Sequence, residues 1–84
     1  MEEIINTLRE THKNTEDKYE KAFIGAMIDE ASKQKSNIFS FDAWLEKRHY
    51  QAIVMMRDNG LNYEYGQVVE RLSREFLNHL HKNY

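Results

Sequence analysis

Phe39-Ser40-Phe41-Asp42-Ala43-Trp44 is the stretch on which the fold turns. Serine is a residue whose side-chain oxygen accepts hydrogen bonds from the first free amides of a helix, and Asp42 adds negative charge to the turn that follows Ser40. Phe39 and Trp44 stand at the two positions of a hydrophobic staple around that start. A helix is therefore expected from Phe41. Its apolar positions Phe41, Trp44, Leu45, Ala52, Ile53, Met55 and Met56 carry it to Asp58-Asn59-Gly60, where the glycine suits a left-handed C-terminal cap. The polar interval from Glu46 to Gln51 is where this helix would bend or divide.

Downstream, Asn62 is placed to cap a last helix whose stripe, Tyr65, Val69, Leu72, Phe76 and Leu80, steps by three and four residues. Gly66 costs a helix interior about 1 kcal/mol against alanine, so either the helix begins a turn later or the glycine permits a close crossing. Gly25 poses the same question. Upstream, Ile5, Leu8, His12, Thr15, Tyr19, Ala22 and Ala26 keep helical spacing, and Phe23 and Met27 widen the stripe. One helix over residues 2–34 would fit. The polar run Thr11 to Asp17 instead favours a short first helix and a firm second one from about residue 15 to 34, capped by Asn14 or Thr15.

Proline is absent, and Glu, Lys, Leu, Met, Ala and Arg are abundant, which favours helix throughout. No stripe can be buried alone. The expected fold is all-α: one domain over residues 1–84, a small bundle of three to four antiparallel helices ending in a helical hairpin.

At 84 residues the chain is expected to bury only ~60–65% of its unfolded surface, so stability is marginal or helped by a partner. It has no cysteine, hence no disulfide, no thiolate zinc site and no thiol nucleophile. The acidic N-terminus Glu2-Glu3 is unlike a secretory signal, and no apolar run approaches the ~20 residues of a membrane span. A cytoplasmic protein with no membrane association is the expectation. Fourteen acids face 12 Lys and Arg, a net charge of −2, and neither half of the chain is basic. Phosphate binding needs a clustered basic excess, so nucleic acid is a disfavoured partner.

Four histidines, His12, His49, His79 and His81, are the imidazoles available for catalysis or metal binding. His79 and His81 are two apart and diverge by about 160° around a helix, so they do not make a site by themselves. The adjacent carboxylates Glu2/Glu3, Glu16/Asp17 and Asp29/Glu30 diverge by about 100° and read as solvated faces. Glu70 and Arg74 are an i,i+4 pair in the favourable order, which supports the last helix. No catalytic, cofactor-binding or metal-binding residue is assigned, and an enzymatic role is not expected.

Residues 52–74 read as helix, turn, helix, the outline of a DNA-reading motif, but Glu64 and Glu70 would fall near phosphates and the turn is equally what a helical hairpin needs. Lys47-Arg48-His49-Tyr50-Gln51 is the basic and aromatic cluster of the third helical region. The chain has 5 Tyr, 4 Phe and 1 Trp, more aromatic surface than so small a bundle can cover. Tyr50, Tyr63, Tyr65 and Tyr84 are the ones left over, with Tyr65 the nearest to the core. Interface centres favour Tyr and Arg. The residues expected to bind a partner are Lys47, Arg48, Tyr50, Tyr63, Arg71 and Arg74, the partner being a larger protein. Self-association into a homodimer through the Tyr65–Leu80 stripe is compatible with that role.

Phe23-Ile24-Gly25-Ala26-Met27-Ile28-Asp29 followed by Phe41-Asp42-Ala43-Trp44-Leu45-Glu46 resembles the small helical accessory proteins of Gram-positive prophages, of the YqaH type. The resemblance implies a modulator that binds a host regulator of replication, transcription or defence. It carries over no site residues.

Overall fold

In the computed structural model, which describes residues 2–34, 37–58 and 63–83, the polar tripeptide Thr15-Glu16-Asp17 separates two helices, α1 (Glu2–Asn14) and α2 (Lys18–Gln34). Two longer ones follow, α3 (Ile38–Asp58) and α4 (Tyr63–Asn83). The chain is all-α, as expected, and among the described residues no helix is long and apolar enough to cross a membrane. Two compact units emerge, residues 1–41 and residues 42–84.

In the first unit, α1 opens with Glu2 and Glu3 and closes with Lys13 in its last turn, charges that complement the helix dipole at each end. Thr7 and Thr11 turn their hydroxyls back onto the carbonyls of Glu3 and Thr7 at 2.9 Å. The cap of α2 is Asp17, in place of Asn14 or Thr15. Its carboxylate accepts the Glu20 amide at 2.9 Å, and its carbonyl accepts the Lys21 amide at 2.9 Å. Carboxylate charge at a helix N-terminus adds to the hydrogen bond, which is the advantage of Asp17 over the neutral alternatives.

The break also resets the apolar phase. Ile4 and Leu8 are buried in α1, whereas Ile5 is only half-buried, and α2 buries Phe23, Ile24, Met27 and Ala31 while Ala22 is exposed. A stripe drawn as if residues 2–34 were one helix therefore lies one position off. α1 packs along α2, so Ile4 and Leu8, one turn apart, have an apolar face to cover.

α3 begins at Ile38, a turn earlier than the Ser40 cap predicts. Asn37 is the cap: its side-chain oxygen accepts the Ser40 amide at 3.1 Å and its carbonyl accepts the Phe41 amide at 3.3 Å. Asparagine caps as well as serine does, and the earlier start adds a turn of helix. Phe39 consequently makes no staple and is 83% exposed. Gly60 and Asn62, the expected cap residues at the other end, lie outside the described residues, as does Tyr84.

α3 runs unbroken through Glu46–Gln51. Arg48 finds its partners along the same helix, donating to Gln51 at 2.7 Å and lying 5.0 Å over the Trp44 ring, while His49 reaches Glu70 of α4. Phe41, Leu45 and Ala52 are its buried positions, and Trp44, Ile53 and Met55 are not.

In the second unit α3 and α4 run antiparallel, because Asp42 meets His81, His49 meets Glu70 and Met56 meets Gly66. This is the expected hairpin. Val69, Leu72 and Leu80 are buried as their spacing predicts, with Tyr65 and Phe76 half-buried beside them. Ser73 is fully buried and donates its hydroxyl to the Val69 and Glu70 carbonyls of its own helix. Of the two readings of Gly66, the close crossing is the one found: a Cβ there would stand 2.7 Å from Met56 Cγ. Gly25 has open space, with nothing within 4 Å of an added Cβ.

Candidate functional site

The face of the C-terminal hairpin holds an open groove of about 530 Å³. Tyr63, Gln67, Glu70, Arg71 and Arg74 line it from α4, together with Glu64 and Val68, and Met56 closes it from α3. Steps of three and four residues along α4 put Tyr63, Gln67, Glu70 and Arg74 on one side of the helix. Three of the six residues picked out from sequence, Tyr63, Arg71 and Arg74, thus share one groove.

Glu70 organises the charges. One carboxylate oxygen, Oε1, stands 3.2 Å from His49 Nε2 and 3.2 Å from Arg74 Nη1, so it links α3 to α4 and holds Arg74 along the groove wall. The i,i+4 Glu70–Arg74 pair is the one its order predicts. Arg71 reaches toward Glu75, 3.8 Å away. Tyr63, which also lines the groove, is half exposed, 51%. The groove therefore brings together the apolar side chains of Met56 and Val68, one tyrosine, and two guanidiniums, with Arg74 paired to Glu70 and Arg71 near Glu75.

The basic and aromatic cluster of α3 does not act as one patch. Residues two apart diverge by about 160° around a helix, and Arg48 is engaged with Trp44 and Gln51 on its own side. Tyr50, 68% exposed, faces away from it, with exposed Lys47 and Ile53 within one turn on the same side. Arg48 is thus a covering side chain for Trp44, while Lys47 and Tyr50 remain presented outward. The antiparallel side-by-side course of α3 and α4 is that of a hairpin, in contrast to the steep crossing of a helix-turn-helix.

A second grouping lies where sequence reasoning did not look. Asp42 and Glu46 are one turn apart on α3, and His81 of α4 meets them, with the carboxylate oxygens and ring nitrogen all within 4.8 Å of one another. His81 Nε2 is 3.2 Å from Asp42 Oδ2 and 3.3 Å from Oδ1. The sequence signal was the i,i+4 spacing of Asp42 and Glu46; comparison of histidines with each other alone passes it over.

No family model matches the chain, and neither the curated proteins nor the solved structures compared with it give a match, so its function has to be read from this geometry.

Proposed function

We propose that the chain is a non-enzymatic protein-interaction domain that acts in the cytoplasm by docking a segment of a larger protein into the α3–α4 groove. The observation that carries this reading is the convergence of Tyr63, Arg71 and Arg74 on one groove that Met56 and Val68 also line. Tyrosine and arginine are among the residues in which binding energy concentrates at protein interfaces, and apolar lining side chains are what an anchoring side chain packs against. The charge pattern suits a partner segment with an apolar anchor flanked by a carboxylate, which would pair with Arg74 or Arg71. Tyr50 and Lys47, presented outward on α3, would form a secondary contact. The role of modulator, implied by the resemblance to prophage accessory proteins, is the form this activity would take.

The test is capture of the tagged protein's partner from native lysate treated with nuclease, followed by titration of the purified partner against the wild type, Tyr63→Asp and Arg74→Glu. Loss of affinity by at least ~10-fold in both variants, with helicity by circular dichroism unchanged, is expected, since a hot-spot truncation costs ~2 kcal/mol or more. A partner that binds both variants as well as the wild type would remove the groove from this account.

A further inference from the structure

We propose that Asp42, Glu46 and His81 form a binding site for one divalent transition-metal ion, of the zinc type, where the N-terminal part of α3 meets the C-terminal part of α4. This goes beyond the docking groove and does not depend on it. The ligand set is one imidazole and two carboxylates, the mixed nitrogen and oxygen donors that zinc and its neighbours accept. Two come from one face of α3 and the third from α4, so the ion would bridge the helices.

The spacing fits. Around a tetrahedral ion with bonds of about 2.0–2.1 Å, neighbouring ligand atoms lie roughly 3.3 Å apart. His81 Nε2 is 3.2 and 3.3 Å from the two oxygens of Asp42, already the edge of such a tetrahedron. Glu46 completes the set within 4.8 Å, and because it is exposed rotation of its side chain closes the remaining gap without moving either helix. To bind the ion, the neutral imidazole would present its Nε2 lone pair, with its ring proton on Nδ1. Water would fill the remaining coordination positions.

The backbone field favours a cation here as well. His81 lies in the last turn of α4, where free carbonyls concentrate negative charge. Asp42 and Glu46 lie beyond the first turn of α3, where the opposing positive end has faded.

The experiment is titration of the untagged full chain with Co²⁺ followed by visible absorption, then displacement by Zn²⁺, with thermal unfolding monitored in parallel. Saturation at one ion per chain, the intense visible band of low-coordinate cobalt and a raised unfolding midpoint in Zn²⁺ are expected. His81→Ala and Asp42→Asn should each weaken binding at least ~10-fold and abolish the thermal shift, and Glu46→Gln should weaken it measurably. His79→Ala serves as the control, since that ring is turned edge-on to Phe76 at 6.4 Å. If His81→Ala lowers helicity, Asp42→Asn and Glu46→Gln decide the matter. Absence of saturation at one equivalent, or equal weakening by His79→Ala and His81→Ala, would overturn the proposal.

Discussion

Replacing Gly66 by alanine sets a local gain against a tertiary cost. In an isolated helix the change is stabilising by about 1 kcal/mol, because alanine loses less backbone entropy on folding. Here the new methyl would stand 2.7 Å from Met56 Cγ, 3.4 Å from its sulfur and 3.9 Å from the Ala52 carbonyl oxygen. Carbon atoms in contact sit about 3.5–4.0 Å apart, so relief requires close to 1 Å of movement by Met56 or by the helices. The Met56 thioether is flexible, but Cγ is near its root, and swinging it displaces a side chain that lines the groove. Overpacking of this kind costs about 1–3 kcal/mol, which leaves Gly66→Ala destabilising by about 1 kcal/mol net and the unfolding midpoint lower by ~4–8 °C. Equilibrium urea denaturation followed by circular dichroism measures it. The same change made in a Met56→Ala background should reverse sign, because the obstructing Cγ and sulfur are gone, and the coupling between the two sites should exceed ~1 kcal/mol. A Gly66→Ala protein more stable than the wild type, with no coupling to Met56, would refute the close crossing.

Gly25→Ala should stabilise the fold by ~0.5–1 kcal/mol, since the added methyl meets nothing within 4 Å; the same urea titration reads it, and the opposite signs at Gly25 and Gly66 form the sharper comparison. Asn37→Ala should cost ~1 kcal/mol through loss of the bond to the Ser40 amide, whereas Ser40→Ala should stay within ~0.5 kcal/mol, a contrast that thermal unfolding resolves. Ser73→Ala should be near neutral, within ~0.5 kcal/mol, because its hydroxyl bonds carbonyls of its own helix and its removal strands no buried donor. Glu70→Gln should lower stability by no more than ~1 kcal/mol, the pair being partly exposed and screened, and its main effect should appear as altered partner affinity through Arg74.

The C-terminal hairpin was the most legible part of the chain. Val69, Leu72 and Leu80 follow an uninterrupted apolar period on an otherwise polar helix, and burial follows that period. α1 and α2 were less so, because Thr15-Glu16-Asp17 could continue a helix by pattern, and only the hydrogen bonds of Asp17 show where the phase restarts. Asn37 and Ser40 are both competent caps, and the Phe39–Trp44 pair drew the reading toward the later one; the choice depends on three-dimensional packing that propensity does not contain. Tyr63 and Arg74 could be assigned to one side of α4 in advance, since eleven residues come close to three full turns, with Arg71 one turn before Arg74. Arg48 could not be separated from Tyr50 until the cation–π contact with Trp44 was visible. The approach of His81 to Asp42 spans 39 residues of sequence, and no local pattern predicts it.

The contact at Gly66 also fixes what kind of motion the hairpin can perform. Paired helices with smooth faces can slide past each other by one turn, about 5.4 Å, and such shear is a common way for a helical protein to switch. Sliding α4 by a turn would carry Val69 or Glu70 into the notch that only a hydrogen atom now fits, and would part Asp42 from His81 and His49 from Glu70 together. Gly66 therefore works as an index mark that, together with the two cross-helix pairs, favours the present alignment, so the hairpin is biased toward a template of one pitch over a sliding coupler. A partner would meet the same spacing of Tyr63, Arg71 and Arg74 each time, and discrimination among partners would follow from shape instead of from adjustment.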